Sequence, residues 1–186
     1  MRRDLLLAPF AVLATLTVAF WLLGTIHASL IVASLGGSSV ILFGTPENEM
    51  AQPRNFIGGH FLSSFVGLIY LHVLGDSHFV MAAATATAFA LMLATRTVHS
   101  PAGSDPLIVI SAKASWGFLL HPLGIGVLLL LVGAYAFHNC WRRMNSAEKQ
   151  SQNFRSVGSP SRQSHSAIGS WAKFWRWTSK IIRGAR

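Results

Sequence analysis

Charged residues are scarce in this chain of 186 residues, of which only 11% are Asp, Glu, Lys or Arg while 52% are hydrophobic. A soluble domain has about 25% charged residues, so the composition excludes an ordinary water-soluble protein and predicts a membrane protein. The few charges are also unevenly placed, because most of the net charge of +9 lies after Cys140. A bilayer explains this division, since charge is costly in hydrocarbon and favourable at an anionic cytoplasmic surface.

Cysteine is almost absent, and several site motifs are missing. The single Cys140 excludes an intramolecular disulfide and a cysteine-based metal cluster. The eight histidines include no His-Glu-x-x-His spacing, and no Gly-Lys-Ser/Thr phosphate loop is present. We therefore expect no metal, no cofactor, no enzyme and no ATP-driven pump. Haem ligation by two membrane histidines, such as His60 and His99, is a minor alternative.

Apolar runs are abundant, and a helix that spans a membrane needs about 20 such residues. Proline and glycine clusters separate the runs from one another. We expect an all-α integral membrane protein, a helical bundle with about six membrane segments. The predicted segments are 5–23, 25–45, 56–75, 79–98, 105–120 (short, or a re-entrant helix) and 122–138.

Lysine and arginine positions predict the topology, because cytoplasmic loops carry an excess of both. Arg2, Arg3 and the basic tail place both termini in the cytoplasm, which requires an even number of crossings. Six crossings put Arg54 and Arg96 near the inside and the Asp76 loop outside. Four crossings with two re-entrant half-helices are also compatible with the sequence. We expect the protein in a bacterial inner membrane.

Two halves of the chain resemble each other. Nine positions recur 66 residues later without a gap, and Ser34–Ser38 matches Ser100–Ser104 at its first, fourth and fifth positions. The pattern predicts two related halves, about 5–75 and 76–140, each with a broken helix. Because three is an odd number of crossings, the second half would begin on the opposite side of the membrane and would be inverted, as in many transporters. Chance similarity in sequence rich in Gly, Ala and Val is the alternative.

The first candidate site surrounds a glycine pair. Gly58 and Gly59 allow another backbone to approach closely. Arg54, together with Asn55, offers donors suited to a planar oxyanion, and His60 lies more than a turn inside the membrane. The alternative is that Arg54 is an interfacial cation and His60 a hydrogen bonder between helices.

The second candidate site is the break that follows the fourth apolar run. Non-helical backbone at membrane depth lines water or is buried in protein, and its N–H groups can bind an anion. Arg96 and His99 precede the break, and Asp105 follows it as an N-cap or a proton carrier. Two tight turns at a membrane surface are the alternative. The glycines and serines predicted to supply donors from both breaks are Gly37, Ser38, Gly103 and Ser104.

These stretches resemble the HPP family of integral membrane proteins, which is named for a His-Pro-Pro motif. Here the motif is His99-Ser100-Pro101, and the similarity covers roughly residues 34 to 139. Some members of the family are associated with nitrite transport, so the resemblance implies passage of a small anion. The matching segments are Gln52-Pro53-Arg54-Asn55, Ile57-Gly58-Gly59-His60, Thr95-Arg96-Thr97 and His99-Ser100-Pro101-Ala102-Gly103.

The sequence after the membrane core differs in composition. Residues 141–169 are rich in serine and are predicted to form a flexible linker. Residues 170–186 are predicted to form an amphipathic helix that binds anionic lipid, with nucleic-acid binding as the alternative. The residues predicted to contact lipid are Trp171, Lys173, Trp175, Arg176 and Lys180.

We therefore expect a permease or channel for a small inorganic anion similar to nitrite. Proton coupling through His60, His99 or Asp105 is an option, because histidine titrates near neutrality. The alternative function is a scaffold or accessory subunit that presents the basic tail without transporting anything. A core of about 140 residues is small for a complete pathway, so we expect a homo-oligomer.

Overall fold

The computed structural model describes residues 2–23 and 28–155, and side chains for 7–22 and 33–141. This part of the chain is helical and contains no strand. Shorter π or 3₁₀ turns lie at Val40–Gly44, Glu49–Ala51, Ser100–Ser104, Trp116–Leu119 and Leu120–Gly124. The helices are α1 (Arg2–Leu23), α2 (Ala28–Ser39), α3 (Pro53–Leu74), α4 (His78–Thr95), α5 (Asp105–Ser111) and α6 (Ile125–Arg155).

Among the described residues, three helical stretches are long and apolar enough to cross a membrane: Pro53–Leu74, His78–Thr95 and Trp116–Trp141. Within the residues whose side chains are described, Leu7–Leu22 and Ala33–Gly44 are shorter apolar stretches of helix. The prediction of a helical membrane protein is therefore confirmed. The predicted fifth segment was wrong as a single helix, because residues 105–120 form the seven-residue α5, a turn and a short 3₁₀ stretch.

The chain divides into two compact units, residues 1–137 and 138–186. The first unit contains the candidate site. In the second unit the structure describes the last part of α6, which continues as a helix to Arg155. Residues 141–155, predicted to belong to a linker, are therefore helical. The predicted lipid-binding residues of the tail lie outside the described residues.

Local sequence signals explain where the helices begin and end. Pro53 occupies the first turn of α3, where its missing N–H costs nothing. The chain leaves α3 through Gly75, whose φ of 88° suits glycine. The side chain of Ser77 accepts a hydrogen bond from the Val80 N–H and caps α4. The backbone leaves regular helical geometry at His121, where the sequence predicts a joint.

The first predicted break is not where the sequence placed it. Helix α2 continues through Gly36 and Gly37 to Ser39, and the irregular turn follows at Val40–Gly44. Glycine inside a helix costs about 1 kcal/mol, which packing can offset, and a Cβ at Gly37 would lie 3.4 Å from Pro101 Cβ. The prediction of a break at Gly36–Ser39 was therefore wrong.

The second predicted break is present. His99 has an extended backbone and the 3₁₀ turn Ser100–Ser104 follows it. Ser38 therefore lies in an α-helix, whereas Ser104, its partner 66 residues later, lies in a 3₁₀ turn. Because equivalent positions have different backbone structures, the prediction of two related halves is not confirmed.

Contacts define two ends of the first unit. At the arginine end, residues 45–54 meet residues 95–99: Arg54 Nη2 donates to the Thr95 carbonyl at 2.9 Å, and His99 Nδ1 lies 2.9 Å from the Met50 carbonyl. At the hairpin end, Lys113 Nζ lies 2.7 Å from Asp76 Oδ2.

The segment 96–111 therefore runs from the arginine end of the first unit to its hairpin end. At the hairpin end, the contact between Lys113 and Asp76 is an ion pair. A hydrogen bond from Lys113 lowers the pKa of the exposed Asp76 carboxyl, and the carboxylate raises the pKa of Lys113.

Candidate functional site

A cluster of buried polar side chains lies where α2, α3 and the segment 96–111 meet. Each of its members is at most 3% exposed, although the surrounding bundle is apolar. Polar side chains are expensive inside a membrane protein unless they are hydrogen bonded or functional. We call the following set the polar cluster: Ser34, Ser38, His60, Ser63, Ser64, His99 and Asp105.

An unbroken series of contacts runs through this cluster. It begins at the Met50 carbonyl, which lies 2.9 Å from His99 Nδ1. Ser38 Oγ lies 2.8 Å from His99 Nε2 and also 2.8 Å from His60 Nε2. The other nitrogen of His60, Nδ1, lies 2.7 Å from Asp105 Oδ2. One serine hydroxyl therefore bridges two imidazole rings.

Asp105 is held by serines and one histidine. Ser34 Oγ donates to its Oδ1 at 2.6 Å, and Ser64 Oγ donates to its Oδ2 at 3.3 Å. No lysine or arginine of the described chain contacts this carboxyl group. The expectation that Asp105 caps α5 was wrong, because Asp105 is the first residue of α5 and its side chain turns to His60.

Small residues and one aromatic ring hold the two histidines in place. A Cβ at Gly59 would lie 2.7 Å from His99 Cβ, and one at Gly58 would lie 2.8 Å from Thr97 Cγ2. Only glycine therefore lets α3 approach the loop that carries His99. Phe56, which is fully buried, places its ring centroid 5.1 Å from that of His60 and 5.3 Å from that of His99.

The predicted anion-binding side chains of the first motif lie away from the polar cluster. Arg54 is exposed and donates to the Thr95 carbonyl at the arginine end. Asn55 donates to the Glu49 carbonyl at 2.9 Å. Arg96 is exposed as well, with a left-handed backbone that ends α4.

The predicted donors from the two breaks are not brought together. Gly37 lies inside the regular helix α2, so its N–H belongs to the helical hydrogen bonds and cannot bind an anion. Ser104 Oγ donates to the Pro101 carbonyl at 2.8 Å, and a Cβ at Gly103 would meet open space. Of these four residues, Ser38 alone joins the polar cluster, and it does so through its side chain.

Sequence reasoning missed Ser34, Ser63, Ser64 and Phe56. Ser63 and Ser64 lie one helical turn after Gly59 and His60 on α3, so the helical period was the signal that could have identified them. Ser63 Oγ donates to the Ala102 carbonyl at 2.5 Å and fixes the 3₁₀ turn against α3. Among the described residues, no three His, Cys, Asp or Glu side chains form a group that could hold a metal ion.

Fold and site together define a helical membrane protein with a buried Ser/His/Asp cluster. Residues 2–146 match the family described as HPP, transmembrane region, and the chain belongs to this family. The family's motif, here His99-Ser100-Pro101, lies in the site: His99 is in the polar cluster, and the Pro101 carbonyl oxygen lies 3.1 Å from Ser34 Oγ.

Two relatives from Dictyostelium discoideum are named only as transmembrane proteins. Transmembrane protein DDB_G0269096 is 36% identical over 121 residues, which are 61% of this chain and 42% of the relative. Transmembrane protein DDB_G0273707/DDB_G0273361 is 33% identical over 121 residues, 61% of this chain and 39% of the relative. This chain thus matches about two fifths of the length of each. No solved structure matches it significantly.

Proposed function

We propose that this protein is a proton-coupled permease for a small inorganic anion, with nitrite as the first candidate. The observation that carries the proposal is the polar cluster, in which His60, His99 and Asp105 are fully buried within one hydrogen-bonded series. Ionisable side chains inside a membrane bundle are typical of ion and proton pathways. Nitrite comes from the resemblance to family members associated with its transport.

The negative charge of an ionised Asp105 provides a reason why an anion would move together with a proton. Asp105 is the buried acid of the cluster, and no arginine or lysine of the described chain neutralises it. Two unit charges 4 Å apart interact by about 4 kcal/mol at an effective dielectric constant of 20, so an ionised Asp105 repels an anion that passes close to it. A proton bound to the cluster removes this repulsion, which couples anion passage to proton passage.

The arginine end supplies the attraction. Arg54 and Arg96 are both exposed there, where their charges raise the local concentration of anions. By the positive-inside rule, we assign this end to the cytoplasm and the Asp76 hairpin to the outside. We propose the plasma membrane of a bacterium as the location, with both termini in the cytoplasm.

The test uses the purified protein in proteoliposomes that contain a pH-sensitive dye. A nitrite gradient should drive saturable nitrite uptake accompanied by internal acidification. Asp105→Asn should uncouple or abolish both signals, because it removes the carboxylate that binds His60. Asp76→Asn is the matched control, since Asp76 is exposed and pairs with Lys113 outside the cluster. Nitrite flux equal to that of empty vesicles, with folded wild-type protein, would refute nitrite transport.

A second candidate function follows from the connectivity of three cluster members. Ser38 Oγ contacts His60 Nε2, and His60 Nδ1 contacts Asp105, as in a serine hydrolase triad. Two features oppose this function. Ser38 is fully buried, and its oxygen also contacts His99 Nε2, so no lone pair is directed at a substrate.

A fluorophosphonate probe tests the hydrolase alternative, because it modifies activated serine nucleophiles. We expect no labelling of the membrane-embedded protein above the level of the Ser38→Ala variant. Labelling that disappears in Ser38→Ala and persists in Ser39→Ala would instead support hydrolysis.

A further inference from the structure

With neutral histidines, the polar cluster has fewer hydrogen atoms than it needs for its hydrogen bonds. The series from the Met50 carbonyl through His99, Ser38 and His60 to Asp105 contains four short contacts between polar atoms. Each contact needs one hydrogen atom. Two neutral imidazoles and one hydroxyl supply three, because a neutral imidazole carries hydrogen on one nitrogen only. The ends of the series, a carbonyl and a carboxylate, accept without donating.

No choice of neutral tautomers removes the shortage. If both rings carry hydrogen on Nδ1, the two Nε2 atoms face Ser38 Oγ at 2.8 Å, and its hydroxyl can donate to only one of them. If His60 carries hydrogen on Nε2 instead, its Nδ1 lone pair faces Asp105 Oδ2 at 2.7 Å. If Ser38 donates to the Ser34 carbonyl, 3.1 Å away, the two neutral rings have only two hydrogens for the four contacts.

The net charge of the cluster also indicates one additional proton. With both histidines neutral, the cluster has a net charge of −1 from the fully buried Asp105. Burying an unpaired charge is strongly unfavourable. One additional proton makes the cluster neutral and at the same time supplies the missing hydrogen. The neighbouring serines cannot compensate for the charge, since a hydroxyl carries none.

We propose that the polar cluster binds one proton beyond an ionised Asp105 and two neutral imidazoles, and that Ser38 relays this proton between His60 and His99. In the main state His60 carries hydrogen on Nε2 and donates to Ser38 Oγ, while the Ser38 hydroxyl donates to His99 Nε2. The excess proton lies on the His60 ring, which is then positively charged and pairs through Nδ1 with the carboxylate of Asp105.

The relay step balances without any other reactant. Ser38 Oγ receives the proton from His60 Nε2 as its own hydroxyl proton passes to His99 Nε2. The hydroxyl then points toward His60, and His99 carries hydrogen on both nitrogens. Both states provide a hydrogen for each of the four contacts, so the proton moves from one ring to the other without breaking the series.

Among the residues whose side chains are described, the titratable groups that face the cluster are its own members. From α3 there is His60, from the segment 96–111 there are His99 and Asp105, and α2 contributes only serines there. The charged groups nearest to the cluster along the chain, Arg54, Arg96 and Lys113, are exposed, and Lys113 pairs with Asp76. The proton count rests on the hydrogen bonds and the charge of the cluster, not on the proposed function. Use of the proton in transport rests on the proposed function.

The test of the proton count is ¹⁵N NMR of histidine-labelled protein in nanodiscs at neutral pH, with His60→Gln and His99→Gln to assign the two rings. We expect hydrogen on both nitrogens of His60 and on Nδ1 alone of His99. Hydrogen on both nitrogens of His99, with Nδ1 alone protonated in His60, would also support the extra proton. A single hydrogen on each ring would overturn the proposal.

The relay is tested with Ser38→Ala against Ser39→Ala. Ser39 is a matched control because its buried hydroxyl bonds only to the Gly36 carbonyl of its own helix, at 2.7 Å. Ser38→Ala should shift the His99 Nε2 resonance to the value of an unbonded nitrogen, whereas Ser39→Ala should leave it in place. An unchanged resonance in Ser38→Ala would refute the relay.

The transport assay separates the two proposals. Proton uptake driven by nitrite should fall by about 100-fold in Ser38→Ala, the size of effect typical of a lost acid–base group. Ser38→Thr, which keeps the hydroxyl, should restore much of it. A histidine ring with hydrogen on both nitrogens in a protein without nitrite flux would refute nitrite transport and leave the proton site supported.

Discussion

Individual side chains of the polar cluster depend on partners that are remote in the sequence. Ser38 contacts His60 and His99, which are 22 and 61 positions away. The sequence indicated that His60, His99 and Asp105 were special, because polar residues are rare in apolar runs. It could not indicate that Ser38 joins the histidines through its hydroxyl, since nothing local distinguishes Ser38 from Ser39.

Gly59 lies where α3 and the loop that carries His99 approach too closely for any side chain at this position. Gly59→Ala should lower the free energy of unfolding by about 1–3 kcal/mol, because overpacking a tight contact displaces its neighbours. The displaced neighbours are His99 Cβ at 2.7 Å and the Thr97 carbonyl at 3.1 Å from the new methyl group. Thermal unfolding in detergent micelles measures the effect.

The matched control is Gly36→Ala. Gly36 also lies inside a helix, but a Cβ there would meet nothing within 4 Å. Alanine is the better helix former, so this variant should be as stable as the wild type or more stable by up to about 1 kcal/mol. Equal losses in the two variants would contradict the role given to Gly59.

The helices differ in how well local sequence predicts them. Helix α3 begins at Pro53 and α4 follows its Ser77 cap, so short-range signals are sufficient there. In contrast, α2 passes through Gly36-Gly37 because tertiary packing overrides the low helix propensity of glycine. The seven-residue α5 could not be predicted, since its length depends on contacts with α3 and α4 rather than on its own residues.

The broken segment 96–111 is expected to cross the membrane. Cysteines placed at Ser77 and Ser115 in a Cys140→Ser background should react with an impermeant maleimide from the same side, because Lys113 pairs with Asp76. A cysteine at Glu47 should react only from the opposite side. Reaction of the Ser115 and Glu47 positions from the same side would instead support a re-entrant loop.

Over the whole molecule, composition predicted the membrane class better than it predicted the topology. Scarcity of charge identified a helical membrane protein. In the part of the chain that the structure describes, three helical stretches satisfy the length and hydropathy of a span, and other apolar segments are shorter there or broken. Such segments cannot be counted from hydropathy, because their burial depends on the helices around them.

Removal of residues 156–186 distinguishes the permease from the alternative scaffold. The polar cluster lies in the first unit, within residues 34–105, so the truncated protein should remain folded and keep its nitrite flux. Flux in proteoliposomes and size-exclusion chromatography measure the two properties. A folded truncated protein that has lost membrane localisation or a partner in cells, while wild type shows no flux, would favour the scaffold.

The hydrogen bond between His99 and the Met50 carbonyl joins the proton site to the loop between α2 and α3. That carbonyl keeps a hydrogen on His99 Nδ1, and so it fixes which nitrogen faces Ser38. A ligand that displaces Met50 would therefore change the proton affinity of the cluster. Thermodynamic linkage requires the reverse as well: protonation must change the affinity of that ligand by the same factor. A ligand of this loop and the proton of the cluster would thus be coupled through one hydrogen bond.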